Sequence, residues 1–363
     1  MLKKLNCKDG IIGLAVGDAL GVPVEFLDRQ YLHENPVTDL MEDTINDLPK
    51  GTWSDDTSMA IATIDSINQS NGINVDDMIQ KFISWMDKDE YTATGECFDV
   101  GDTVYAALSN YKTNGTKSNY HGENGEYSNG NGSLMRILPI AYFIKQNNIS
   151  DENEILNIVR EVSSITHSHE VSVLSCYIYV QFASKLLEGK NRNEAYKYIQ
   201  EIDYSEFKPE TIDKFSRIIK SDVRNLTEDE IKSSGYTVDT LEAALWVYMN
   251  SNDYNNSILK AVNLGEDTDT VAAVTGGLLG IEYGVDSINQ DWIKGLQNRE
   301  FITDICDKFN ETTRQSLLAN SKSYSDRLKL QYTTISSEIT KAISSNKRTK
   351  ASTQNSKSDF ERW

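Results

Sequence analysis

The sequence predicts an all-α fold over most of its 363 residues. Apolar residues recur at three- and four-residue steps, and the strict alternation of a half-buried strand is nearly absent. Met59, Ile61, Ala62, Ile64 and Ile67 form one such stripe; Met78, Ile79, Phe82, Ile83 and Met86 form a second; Leu241, Ala244, Leu245 and Tyr248 form a third. Taken in order, the short apolar run Ile11 to Gly17 places a helix over 11–20, and the first two stripes place helices over 56–69 and 75–88. Further helices are expected over 98–111, over 134–146 behind a glycine-rich turn, and over 152–164. The uncharged stretch Val171 to Ser184 places one over 170–188, followed by 192–202. The third stripe gives 238–250, then come 254–264 and 270–283, the last around the uncharged stretch Thr270 to Ile281. Polar loops join them. The loop from Lys112 to Gly132 is rich in Gly, Asn, Ser and Tyr and reads as a disordered insertion or a ligand cradle.

Charge divides the chain. Thirty-six basic against 55 acidic side chains give a net charge of −19. Residues 312–363 carry a net of +6, leaving −25 for residues 1–311. The expected organisation is one helical domain over 1–311 and a C-terminal extension over 312–363, helical through about Ile343 and then flexible. So acidic a surface repels phosphate backbones, which excludes a general nucleic-acid or anionic-membrane binder; a phosphate-bearing ligand must be held locally. Cys7, Cys97, Cys176 and Cys306 are scattered without a C-x-x-C pair, which suits reduced thiols in the cytoplasm better than a disulfide framework or a thiolate zinc site. Charged residues around the first apolar run leave no export signal, and the uncharged stretches are too short to span a membrane.

Two short acidic clusters carry the chemistry: Ser54-Asp55-Asp56-Thr57 and Asp267-Thr268-Asp269-Thr270, each just ahead of an apolar helix. Helix capping accounts for either cluster alone. Together they offer four carboxylates and several hydroxyls, hard oxygen ligands suited to Mg²⁺ or Mn²⁺ and poorly suited to zinc or copper. A dinuclear site would neutralise their repulsion and leave positions for substrate oxygens. Gly130-Asn131-Gly132-Ser133 could present N–H groups to a phosphate, or be a plain loop-to-helix junction, with Arg136 in a salt bridge. His167 and His169 suit hydrogen bonding at a helix start better than zinc, and Tyr236 either stacks on a nucleobase or staples a helix.

In this order the motifs resemble the ADP-ribosylglycohydrolase family, from about Asp9 to Glu311. GLAVGDALGVPVEF lies at 13–26, GTWSDDTSMA at 51–60, CFDVGDTVYAAL at 97–108 and GNGSLMRILPIA at 130–141. THSHE follows at 166–170, SGYTVDTLEAALW at 234–246 and GEDTDTVAAVTGGLLG at 265–280. The resemblance implies an all-α globule with two Mg²⁺ or Mn²⁺ ions in a cleft, held by Ser54, Asp55, Asp56, Asp267, Asp269 and Thr270. Ser54 replaces the more usual Thr, and Glu266 stands where Gly is usual. Glu25 falls on the family's N-terminal site glutamate, Asp99 and Gly101 on a substrate-facing motif, Asn131, Gly132, Ser133 and His167 on the phosphate region, and Tyr236 on an aromatic that packs on adenine. The implied activity is hydrolysis of the N- or O-glycosidic bond between ADP-ribose and a modified protein side chain, arginine foremost, by a cytoplasmic monomer, with Asp55, Asp56 and Glu25 as catalytic candidates. Two alternatives stay open: a binding member without turnover, and an immunity-type protein that neutralises an ADP-ribosylating enzyme or toxin.

Overall fold

Asn6 starts the first helix by accepting the Lys8 N–H, as an N-cap asparagine does. The computed structural model describes residues 5–115 and 122–312, so nearly all of the expected extension and part of the glycine-rich loop lie outside the described residues. The chain divides into two units, Met1–Asn310 and Glu311–Trp363, and the fold is that of the first. Its helices are α1 (Cys7–Gly21), α2 (Arg29–Glu34), α3 (Asp55–Ser70), α4 (Val75–Lys88), α5 (Asp102–Asn114), α6 (Leu138–Asn147), α7 (Glu152–Ser163) and α8 (Glu170–Leu187). They continue as α9 (Arg192–Glu201), α10 (Pro209–Lys214), α11 (Ser216–Ile219), α12 (Thr237–Met249), α13 (Tyr254–Val262), α14 (Thr268–Tyr283) and α15 (Gln290–Gly295); α16 over 299–312 ends the described residues, its last two belonging to the second unit. Among the described residues there are three isolated β-bridges and no strand.

Two expected helices start later than their apolar pattern suggests. The 98–111 helix begins at Asp102, because Asp99 sits in the left-handed region (φ 56°) and Gly101 is the N-cap. The 134–146 helix begins at Leu138, behind a 3₁₀ turn at Asn131–Ser133, with Pro139 in its first turn where a missing N–H costs nothing. The apolar periodicity does not predict short α2, α10, α11 and α15, nor α16.

α1, α8, α12 and α14 are buried nearly all round and form the centre; α4 and α7 bury only one face. Glycine sets the closest approach, between α1 and α14. A methyl group at Gly13 would lie 2.3 Å from the Gly276 carbonyl oxygen, one at Gly17 2.3 Å from that of Ala272, and one at Gly280 2.0 Å from that of Asp9. Backbone therefore packs on backbone, and the C-terminal end of α1, with Asp18 and Gly21, is pressed against the first turn of α14.

Candidate active site

The first acidic cluster opens α3. Ser54 is its N-cap: the hydroxyl oxygen accepts the Asp56 N–H at 3.4 Å and the hydroxyl donates to Asp56 Oδ2 at 3.2 Å. Capping and site building are thus the same arrangement here. The turn is held from behind by Asp18 of α1, which is fully buried. Asp18 Oδ1 accepts the Ser54 N–H at 2.9 Å, while Oδ2 accepts the Thr57 N–H at 3.0 Å and the Thr57 hydroxyl at 2.5 Å.

The second cluster opens α14, with Asp267 at the N-cap position. Thr270 donates its hydroxyl to Asp56 Oδ2 at 3.2 Å, joining residues 214 positions apart. Asp269 Oδ1 accepts the Thr270 N–H at 2.8 Å. Asp56 Oδ1 and Asp269 Oδ2 are buried with no hydrogen-bond partner among the described residues. One carboxylate oxygen each from Asp18, Asp56 and Asp269 lie within 4.8 Å of one another, and so do those of Glu25, Asp99 and Asp269. Asp269 is common to both groups. Glu25 and Asp99 are only half-buried and stand at the accessible side, whereas Asp55, Asp56 and Asp269 are buried.

These acids strain against each other. Burial, then Asp99 and neighbouring carboxylates, push Glu25 up to about 9. Burial and the Asp267 charge push Asp99 up to about 6. Burial first and carboxylate repulsion second raise Asp55, Asp56 and Asp269 well above the ordinary range, and burial raises Asp267 despite the Asn131 hydrogen bond. The positive ends of α3 and α14 offset part of this repulsion. The donor set fits a hard divalent cation: oxygen only, closely grouped, with two buried lone-pair-bearing atoms that no N–H or O–H satisfies.

The glycine-rich turn adjoins this cluster. Asn131 Nδ2 donates to Asp267 Oδ2 at 2.7 Å and to the Thr240 hydroxyl at 2.9 Å, and the Asn131 N–H donates to the Gly235 carbonyl at 3.0 Å. Thr237 N–H donates to the Asn129 carbonyl, so half-buried Tyr236, the N-cap of α12, is fixed beside the turn. His167 is buried against Gly132: a methyl group there would stand 2.9 Å from the ring carbon Cε1. Burial, then the Arg136 charge, push its imidazole down to about 3, so it is neutral, with Nδ1 2.8 Å from the Thr166 hydroxyl.

Of the remaining residues, Arg136 departs from its sequence reading, whereas His169 hydrogen-bonds at a helix start as expected. The Ser133 hydroxyl faces the interior, accepting from Ser163 at 3.0 Å and lying 3.4 Å from Cys176 Sγ, so Ser133 meets the turn through its backbone. Among the described residues Arg136 makes no salt bridge: its fully buried guanidinium donates to the Gly132 and Val162 carbonyls and lies over the Phe82 ring, 5.1 Å from its centre. Gly101 is exposed at the start of α5, and His169 caps α8 by accepting the Val171 N–H. Asp18 is not among the sequence-predicted site residues; its signal is a carboxylate directly after the apolar run Ile11 to Gly17, in the second half of α1.

A family model described as ADP-ribosylglycohydrolase matches residues 5–318. An ADP-ribosylarginine hydrolase Tri1 of Serratia proteamaculans is 31% identical over 309 residues, covering 84% of this chain and 78% of its own. An ADP-ribosyl-[dinitrogen reductase] glycohydrolase of Rhodospirillum rubrum is 29% identical over 294 residues, covering 78% of this chain and 88% of its own. A solved structure titled ADP-ribosylglycohydrolase-related protein complex superposes with a TM-score of 0.70 at 27% identity, covering 85% of this chain and 98% of that one. With the two acidic clusters joined across α3 and α14 and the match spanning all the described helices, the chain belongs to the ADP-ribosylglycohydrolase family.

Proposed function

We propose that the protein is a divalent-metal-dependent hydrolase that releases ADP-ribose from modified arginine side chains. The observation that carries the metal part is that Asp56 and Asp269, from two distant segments, bring carboxylate oxygens within 4.8 Å of each other and each keep a buried oxygen with no hydrogen-bond partner among the described residues. Ser54, Asp55, Asp56, Asp267, Asp269 and Thr270 would hold two Mg²⁺ or Mn²⁺ ions. Bound there, the cations would neutralise the carboxylates and polarise ribose hydroxyls and water. The arginine linkage is supported by the names of the Serratia and Rhodospirillum relatives.

The chain's own groups then divide the work. Tyr236 and the Asn131–Ser133 turn bind adenine and pyrophosphate, with neutral His167 shaping the turn from beneath. Cleavage at the anomeric carbon develops positive charge on the ribose, which the surrounding carboxylates favour. Glu25 and Asp99 are the accessible carboxylates; Glu25 would serve as a base towards water only once bound cations offset the neighbouring carboxylates that hold it protonated, and Asp55 and Asp56 are the remaining candidates for acid and base.

The test is to incubate the protein with Mg²⁺ or Mn²⁺ and arginine-linked, serine-linked or O-acetyl ADP-ribose, and to measure released ADP-ribose beside metal stoichiometry by calorimetry. Expected are about two ions per chain, loss of at least one in Asp269→Ala, and release fastest from arginine. No binding at millimolar metal refutes the dinuclear site. Tight ADP-ribose binding without release from any linkage refutes the hydrolase reading and leaves a binding module.

A further inference from the structure

Asp18 is a fully buried carboxylate on an apolar helix, close to two candidate metal ligands, yet bonded differently from both. Its two oxygens already accept three hydrogen bonds, from the Ser54 N–H, the Thr57 N–H and the Thr57 hydroxyl. Asp56 and Asp269, whose carboxylates share a 4.8 Å group with that of Asp18, each keep one buried oxygen, Oδ1 and Oδ2 respectively, that accepts no hydrogen bond among the described residues. Asp56 and Asp269 each keep a bare oxygen for a cation, whereas both oxygens of Asp18 are engaged by the first turn of α3. We propose that Asp18 is a positioning residue that clamps the α3 N-terminus so that Ser54, Asp55 and Asp56 present their oxygens to the metal pair, without itself ligating an ion.

The geometry explains why the clamp must be a carboxylate. Both Asp18 oxygens act as acceptors, one towards each end of the Ser54–Thr57 turn, so an amide in its place would turn one acceptor into a donor facing N–H groups. α1 is an effective anchor because its glycines let it pack backbone to backbone on α14, the helix that carries the other ligand motif. A single carboxylate thereby ties the two halves of the site to one rigid helix. Partners that orient metal ligands without touching the ion change metal affinity by about 10- to 100-fold when removed.

This inference rests on the metal site proposed above, and the experiment separates the two. Mn²⁺ affinity and stoichiometry are measured by calorimetry on wild type, Asp18→Asn, Thr57→Val and Thr57→Ser, each checked for folding by circular dichroism, with ADP-ribose affinity in parallel. The expected result for Asp18→Asn is an unchanged number of ions bound about 10- to 100-fold more weakly. Thr57→Val, which leaves Asp18 intact but removes one hydrogen bond, should weaken binding less, and Thr57→Ser should restore it. If Asp18→Asn does not fold, the Val and Ser pair decides alone: equal affinities overturn the clamp. Loss of one ion per chain in Asp18→Asn makes Asp18 a ligand and overturns the proposal. A wild type that binds no Mn²⁺ refutes the metal site itself; unaltered Mn²⁺ affinity in folded Asp18→Asn refutes only the clamp.

Discussion

Gly21→Ala isolates the contact that sets where Asp269 lies. Gly21 ends α1 with ordinary helical backbone (φ −83°), so alanine is conformationally acceptable there and only space is at issue. An added methyl carbon would lie 2.3 Å from Asp269 Cα, 2.4 Å from Asp269 N and 2.6 Å from the Thr268 carbonyl carbon. All three are backbone atoms, so no rotamer change relieves the clash. Reaching ordinary carbon contact of about 3.5–4.0 Å requires the first turn of α14 to move by roughly 1 Å or more. That movement also strains the Thr268 hydroxyl bond to the Gly21 carbonyl, 2.8 Å in the native fold. Overpacking of this kind destabilises by about 1–3 kcal/mol, and the upper end is expected against rigid backbone. A misplacement near 1 Å lowers turnover by about 10²-fold. Thermal unfolding, Mn²⁺ calorimetry and ADP-ribose release should all register the change. Gly72→Ala is the control, since its nearest neighbour would be 3.9 Å away and none of the three readouts should move. A Gly21→Ala protein with native metal affinity and turnover would refute the view that the α1–α14 contact positions Asp269.

Asp65 and Lys81 form a buried ion pair at 2.8 Å, joined by the Tyr91 hydroxyl. Burial raises the Asp65 carboxyl, but the hydrogen bonds from Lys81 and Tyr91 and the Lys81 charge together hold it below the ordinary range. Its contribution is present above the unfolded value near 3.9 and lost as pH falls through the lower folded one, so Asp65→Asn should flatten that part of the acid-unfolding curve. The same variant should lose about 3 kcal/mol at neutral pH, the lower end for a broken buried pair, because Asp77 remains 3.9 Å from Lys81. Tyr236→Ala should weaken ADP-ribose binding by ~1–3 kcal/mol if the ring stacks on adenine, whereas an unchanged dissociation constant moves adenine elsewhere. Glu266→Gly should raise stability by about 0.5–1 kcal/mol, because Glu266 holds φ 62° at a left-handed cost of about 1–2 kcal/mol, partly offset by the entropy of a new glycine. A lower melting temperature would show that the Glu266 side chain makes a compensating contact.

The long amphipathic helices were legible because their apolar stripes outlast the noise of single residues; α4 and α7 lie where their patterns put them. The patterns failed where backbone conformation overrides hydrophobicity: at Asp99, whose left-handed backbone delays α5, and around Leu134, where a 3₁₀ turn separates the glycines from α6. Four- and six-residue helices such as α11 and α2 are too short to show a period at all. The acidic clusters were legible as a pair of oxygen-rich helix starts, and the Thr270–Asp56 bond now joins them. Arg136 was not legible: beside a glycine-rich turn it resembles an anion or salt-bridge residue, yet it is sealed inside as a donor to two carbonyls. Asp18 was hidden by the opposite ambiguity, because a charge at the end of an apolar run reads as the boundary of that run. A buried carboxylate needs donors, and α1 itself offers none to spare; the donors come from a turn 36 and 39 residues away. What a linear reading lacks is that pairing across space. A buried acidic residue at the edge of an apolar run is therefore best treated as one half of a contact whose other half, here the buried start of α3, carries N–H groups that lack intrahelical partners.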